Sequence, residues 1–126
     1  MTKFIQFFFH LIDSELRTPL HLAASNGHLN IVELIMEEND TLDLEPKDKK
    51  EWRPIHDAAK GGHFDICQFI VTNGWIEDEN PMDYKGRTPL HIAAFHGHFR
   101  ICRLFVDNIE FIESKGMYDS LILAIF

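Results

Sequence analysis

Apolar residues recur in three matching runs along this chain. In the last run Leu90, Ala93 and Ala94 share one helical face, and Ile101, Cys102, Phe105 and Val106 form a second stripe shortly after. The second stripe is repeated as Ile31, Val32, Ile35 and Met36 in the first run, and as Ile66, Cys67, Ile70 and Val71 in the second. Thr88 can cap the helix ahead of it, and Pro89 suits a first helical position, where no amide donor is needed. Gly97 suits the left-handed backbone that ends such a helix. Neither helix of a pair is long enough to stand alone. Each must bury its stripe on its partner and on the neighbouring run, and the alanine pair leaves room for close approach.

The runs are copies. Leu16–Met36, Glu51–Val71 and Gly86–Val106 align, with Pro19, Pro54 and Pro89 spaced 35 residues apart. His21, His56 and His91 keep that spacing, as do Gly27, Gly62 and Gly97. A fixed period in this range marks a stack of supersecondary units, not a closed globule around one buried site.

The repeated letters resemble the ankyrin repeat family. The pattern T-P-L-H-x-A-A-x-x-G-H stands at Thr18–His28 and Thr88–His98, and P-I-H-D-A-A-K-G-G-H at Pro54–His63. The resemblance implies an all-α solenoid of helix pairs with short β-hairpin fingers, comprising three full repeats and a half repeat at each end. The expected divisions are a capping helix or half repeat over 1–14, repeats over 15–49, 50–84 and 85–115, and a truncated fourth over 116–126. The period is two residues longer than the family's usual one, so the connections Glu37–Arg53 and Thr72–Arg87 are expected to carry insertions. The resemblance gives His21, His56 and His91 the task of tying copies together through backbone and threonine. His28, His63 and His98 match the family's step into the second helix. Arg53 replaces the threonine of the other copies, so the middle helix loses its side-chain cap, at about 1 kcal/mol.

The connections differ in quality. Asp83-Tyr84-Lys85-Gly86 places Asp and Gly where a type I turn prefers them; Asp48-Lys49-Lys50-Glu51 lacks the glycine and should be less ideal. The link from Phe9 to Pro19 is short, so the first finger is expected to be absent or stunted. Phe4, Phe7, Phe8, Leu11 and Ile12 read as a helix covering the first copy. At the other end Leu121, Ala124 and Ile125 suggest a first helix lacking its second, which points to a fragment of a longer array or to self-association through apolar chain ends.

Bulk properties narrow the function. The 126 residues carry a net charge of −8, against general nucleic-acid affinity. No stretch is long enough to span a bilayer. Cys67 and Cys102 sit at equivalent places on helices stacked too far apart to bridge, so they read as reduced core thiols of an intracellular, cytoplasmic protein. The pairs His63/Cys67 and His98/Cys102 could each offer two metal ligands, but adjacent pairs do not converge on the four that zinc takes. His96 with His98 makes only a two-ligand site. No nucleophile–base–orienter set appears, so neither an enzyme activity nor a cofactor is expected.

The expected activity is binding another protein, as a scaffold or targeting module; the rival is an accessory domain of a larger enzyme or channel. In the resembling family, partners dock on finger tips and on the exposed face of the first helices. On this chain those places are Arg17, Ser25 and Asn26; Lys49, Lys50, Trp52, Arg53, Asp57 and Lys60; and Tyr84, Lys85, Arg87, Phe95 and His96. Trp52, Tyr84 and Phe95 are of the type that anchors interfaces, although Trp52 could equally pack on the neighbouring finger. Lysine and arginine gather toward the tips and acids toward the back, which predicts a locally basic groove suited to an acidic or mixed peptide surface.

Overall fold

A computed structural model describes residues 11–38, 46–73 and 81–108. Each block contributes one helix pair: α1 (Pro19–Ser25) with α2 (Leu29–Glu37), α3 (Pro54–Gly61) with α4 (Phe64–Thr72), and α5 (Pro89–Phe95) with α6 (Phe99–Asp107). No strand occurs among the described residues, so the β-hairpin character expected of the fingers is not seen. The helical unit expected near the C-terminal end lies outside the described residues, as does most of the N-terminal one; Leu11 and Ile12, expected on its apolar stripe, are described and are instead non-helical and exposed.

The sequence signals that start the helices work as expected. Thr18 and Thr88 cap α1 and α5, each hydroxyl accepting the histidine amide three residues on at 3.3 Å. Each histidine returns the favour, its Nδ1 accepting the threonine amide at 3.1 Å. At α3, Arg53 makes no side-chain cap, having no acceptor to offer. The His56 amide instead donates to the Arg53 carbonyl at 2.9 Å, while the Arg53 amide still donates to His56 Nδ1 at 3.1 Å. Half of the reciprocal pair therefore survives.

First helices pack on first helices and second on second, with each pair closed internally. Leu20, Ile55 and Leu90 fill the inner layer, and Val32, Ile35, Ile66, Ile70, Ile101 and Phe105 the outer one. Ala24, Ala58, Ala59 and Ala93 are fully buried and let the first helices approach closely. Ile31 departs from the expected stripe and is 42% exposed. Cys67 and Cys102 are buried and unpaired, as core filler should be.

Two histidine ladders lock the copies. His21 Nε2 lies 2.7 Å from the Trp52 carbonyl, and His56 Nε2 lies 3.2 Å from the Arg87 carbonyl, each 31 residues ahead. A carbonyl only accepts, so Nε2 carries the proton, and Nδ1 is left to accept the capping amide. This arrangement needs a neutral ring. Burial accordingly pushes His21 down from its usual range, and His56 down to about 4. On the outer side, His63 and His98 reach back 38 residues to the carbonyls of Ser25 and Lys60, both at 2.9 Å. Their rings lie against Gly27 and Gly62, where an added Cβ would come within 2.7 Å. Both glycines are also left-handed, with φ of 76° and 75°. Glycine is thus required there twice over: for its backbone and for its missing side chain.

Candidate partner-binding site

Each copy begins with an aspartate that folds the chain into a turn. Asp13, Asp48 and Asp83 each accept two backbone amides through Oδ1, at 2.8–2.9 Å. Asp13 and Asp83 also hold Nε of Arg17 and Arg87 through Oδ2, at 2.8 Å. The first copy therefore has the finger's turn, although the hairpin expected to be absent or stunted there is not seen as strands in any copy among the described residues. The turn is the same as in the other copies. Successive fingers are joined by backbone bonds from Lys49 to the Glu15 carbonyl (2.9 Å) and from Tyr84 to the Lys50 carbonyl (3.1 Å). Three fingers and three first helices thus enclose a groove of about 970 Å³.

The structure divides the expected partner residues. Lys49, Lys50, Trp52, Asp57, Lys60, Arg87, Phe95 and His96 line the groove. Tyr84 and Lys85 stand exposed at the third finger tip, the Lys85 ammonium 5.4 Å from the Tyr84 ring centre. Asn26 lies outside the groove and spends its amide on the Leu22 carbonyl at 2.8 Å. Of the two readings of Trp52 the packed one holds, and Arg53 departs from its expected exposure. Trp52 is not an exposed anchor: it is 8% exposed, and its indole donates to Asp83 Oδ2 of the next finger at 3.0 Å. Arg53 is equally buried, because it occupies the inward-turned capping position that threonine fills elsewhere. By contrast Phe95 is 86% exposed and meets His96 edge-on, with ring centres 5.1 Å apart.

Apart from the repeated Asp48, His91 and Ala94, the groove is lined by positions where the copies are not all alike. Glu15, Lys50 and Lys85 are equivalent, as are Arg17, Trp52 and Arg87, and Ser25, Lys60 and Phe95. Glu15, Asp48 and Ile92 are lining residues that the sequence reading passed over. Stepping 35 positions from Lys50 and Asp57 would have found Glu15 and Ile92.

The lining changes character along its length. At the first-copy end, Glu15, Asp48 and Asp57 mix with Arg17, Lys49 and Lys50. Asp57 Oδ2 is buried and accepts no hydrogen bond among the described residues. Burial, with Asp48 nearby, pushes its carboxyl up to about 7 despite Arg17, Lys60 and Lys50. At the third-copy end stand Lys60, Arg87, His96 and Phe95. Lys60 Nζ and the Arg87 guanidinium both sit over the Trp52 ring, 5.7 and 6.0 Å from its centre.

His21, Asp48 and Asp57 bring three potential metal-binding atoms within 4.8 Å of one another. Both His21 ring nitrogens are committed to backbone groups, and Asp48 Oδ1 to two amides. The set does not fit a cation site. Burial raises both thiols, Cys67 most strongly, which disfavours a thiolate nucleophile.

A family model for ankyrin repeats, with three copies, matches residues 3–78 and 20–116. The chain belongs to the ankyrin repeat family. Repeats of this family are generally protein–protein interaction modules. A search of curated proteins found no match for this ankyrin repeat chain. Among its described residues no helix is long and apolar enough to cross a membrane.

Proposed function

We propose that this ankyrin repeat chain recognises another protein through the groove between its fingers and first helices, with the third finger tip as a second contact. The observation that carries the reading is the segregation of letters. Repeated residues are consumed in caps, turns and ladders, whereas most of the groove's lining, Asp48, His91 and Ala94 apart, differs from copy to copy. Phe95 is the strongest case. Its counterparts are Ser25 and Lys60, so the fold does not require an aromatic ring there, yet one is held almost fully in solvent. Large aromatics at such places anchor interfaces. The two buried, unpaired thiols favour a reducing compartment inside the cell.

A double variant, Tyr84→Ala with Phe95→Ala, tests this. Both side chains are exposed, so the unfolding temperature should hold while partner capture from a cognate extract falls by about tenfold or more. Trp52 is unsuitable for the test, since its removal would strip the bond to Asp83. Capture unchanged in the folded double variant would reject the groove and tip as the binding surface.

A further inference from the structure

The two ends of the groove differ in charge balance, and the difference bears on what the groove accepts. At the third-copy end two cations share one aromatic ring. Asp83 engages Arg87 through Nε alone, and the terminal guanidinium nitrogens make no hydrogen bond among the described residues. Lys60 Nζ makes no ion pair among the described residues. The nearest carboxylate on its own helix, Asp57, is held toward its protonated form and is not bonded to it. Asp83 itself lies beneath the surface, saturated by two amides, the Trp52 indole and Arg87. The positive field is felt nearby: burial first, then Lys60, His98 and Arg87, lower the His96 ring from its usual range. In a chain of net charge −8, two cations over a tryptophan against one buried acid, Asp83, leave this stretch locally positive at its surface. Beside it stands the exposed Phe95 ring.

We propose that this end of the groove binds an acidic–apolar segment of a partner protein, seating an Asp or Glu carboxylate against Lys60 and Arg87 and a neighbouring large apolar side chain on Phe95. This rests on the groove being the interaction surface and names the chemistry it selects. Cations over an aromatic face keep their charge directed outward while being held in place, which suits a carboxylate better than a freely moving lysine would. Phe95 supplies apolar area at the same spot, so the two features are read together by adjacent residues of one extended segment. A basic or neutral segment would meet uncompensated repulsion or desolvation there.

The test is selection of short random peptides displayed on phage against the immobilised 126-residue chain. Enriched sequences are then synthesised and measured by fluorescence anisotropy on the wild type, Lys60→Glu, Lys60→Gln and Phe95→Ala, with each variant's folding checked by circular dichroism. The expected outcome is enrichment of Asp or Glu beside Phe, Leu or Trp, with affinity reduced by about tenfold or more in Lys60→Glu, less in Lys60→Gln, and falling with salt. Phe95→Ala should weaken the same peptides. Peptides lost with Phe95→Ala but neutral or basic, and indifferent to Lys60→Glu, would overturn the acidic preference while leaving the groove as the surface. Peptides indifferent to both positions, or no enrichment at all, would overturn the groove reading and this inference with it. Displacement of the peptides by inorganic phosphate at comparable concentration would make the place a small-anion site and overturn the inference as well.

Discussion

Leu16, Glu51 and Gly86 occupy the same turn position, with φ of 61°, 59° and 76°. Only glycine adopts that conformation without strain, and a side chain there costs about 1–2 kcal/mol. Glu51→Gly should therefore stabilise the protein by about 0.5–1 kcal/mol after the extra unfolded-state entropy is subtracted. Urea unfolding checks this, and a loss of stability would mean that the Glu51 side chain makes a favourable contact. Two buried groups set the pH dependence in opposite directions. The unfolded chain protonates His56 below about 6.5, whereas the folded one refuses the proton until about 4, so stability falls as pH drops through that window. Asp57 keeps its proton in the folded state up to about 7 but loses it near 3.8 when unfolded, so stability falls as pH rises through 4 to 7. Asp57→Asn should raise the unfolding temperature at pH 8, change it little at pH 4, and steepen the acid-side loss between pH 6.5 and 4. Thermal scans across pH read all three. An equal gain at pH 4 and pH 8 would show that Asp57 ionisation does not limit stability.

At the scale of elements, each first helix is held by its start, and α4 and α6 by the histidine ahead of them. Gly62 separates α3 from α4, with φ of 75° and the His98 ring against it. Gly62→Ala should destabilise by about 2 kcal/mol or more, since strain and the ring clash act together. Urea unfolding measures it, and a loss under about 0.5 kcal/mol would deny the ring contact its role. These elements were legible because their determinants are local: Thr-Pro opens a helix, glycine closes it, and an apolar stripe follows. What stayed hidden depends on residues far away in sequence. Trp52 reads equally as an exposed anchor or as packed on its neighbour until Asp83, 31 positions on, accepts its indole N–H. The turn of the first copy depends on Asp13, whose two amide bonds form despite the short link to Pro19. Ile31 sits where its equivalents Ile66 and Ile101 are fully buried, and the sequence pattern alone could not show that the first copy leaves that place open.

At the scale of the molecule, the main helix contacts among the described residues join each copy to its neighbour, so the same few contacts are used repeatedly and the inner face is free to vary. The period was visible in the sequence and gave the stack. The groove was half visible, because exposure on a concave wall depends on how copies align, which is why Asn26 and Arg53 were placed in it and Glu15 and Ile92 were not. The central claim is a division of labour: recurring residues hold the stack, and variable residues of the groove do the binding. A substitution scan of the whole chain, scoring folded abundance and peptide binding per folded molecule in one population, measures that division directly. The account predicts that changes at His21, His56, Gly27, Gly62 and Asp83 lower abundance, while changes at Lys60, Phe95 and Tyr84 lower binding alone. Binding losses scattered over the outer helices, or confined to variants that also lose abundance, would contradict it.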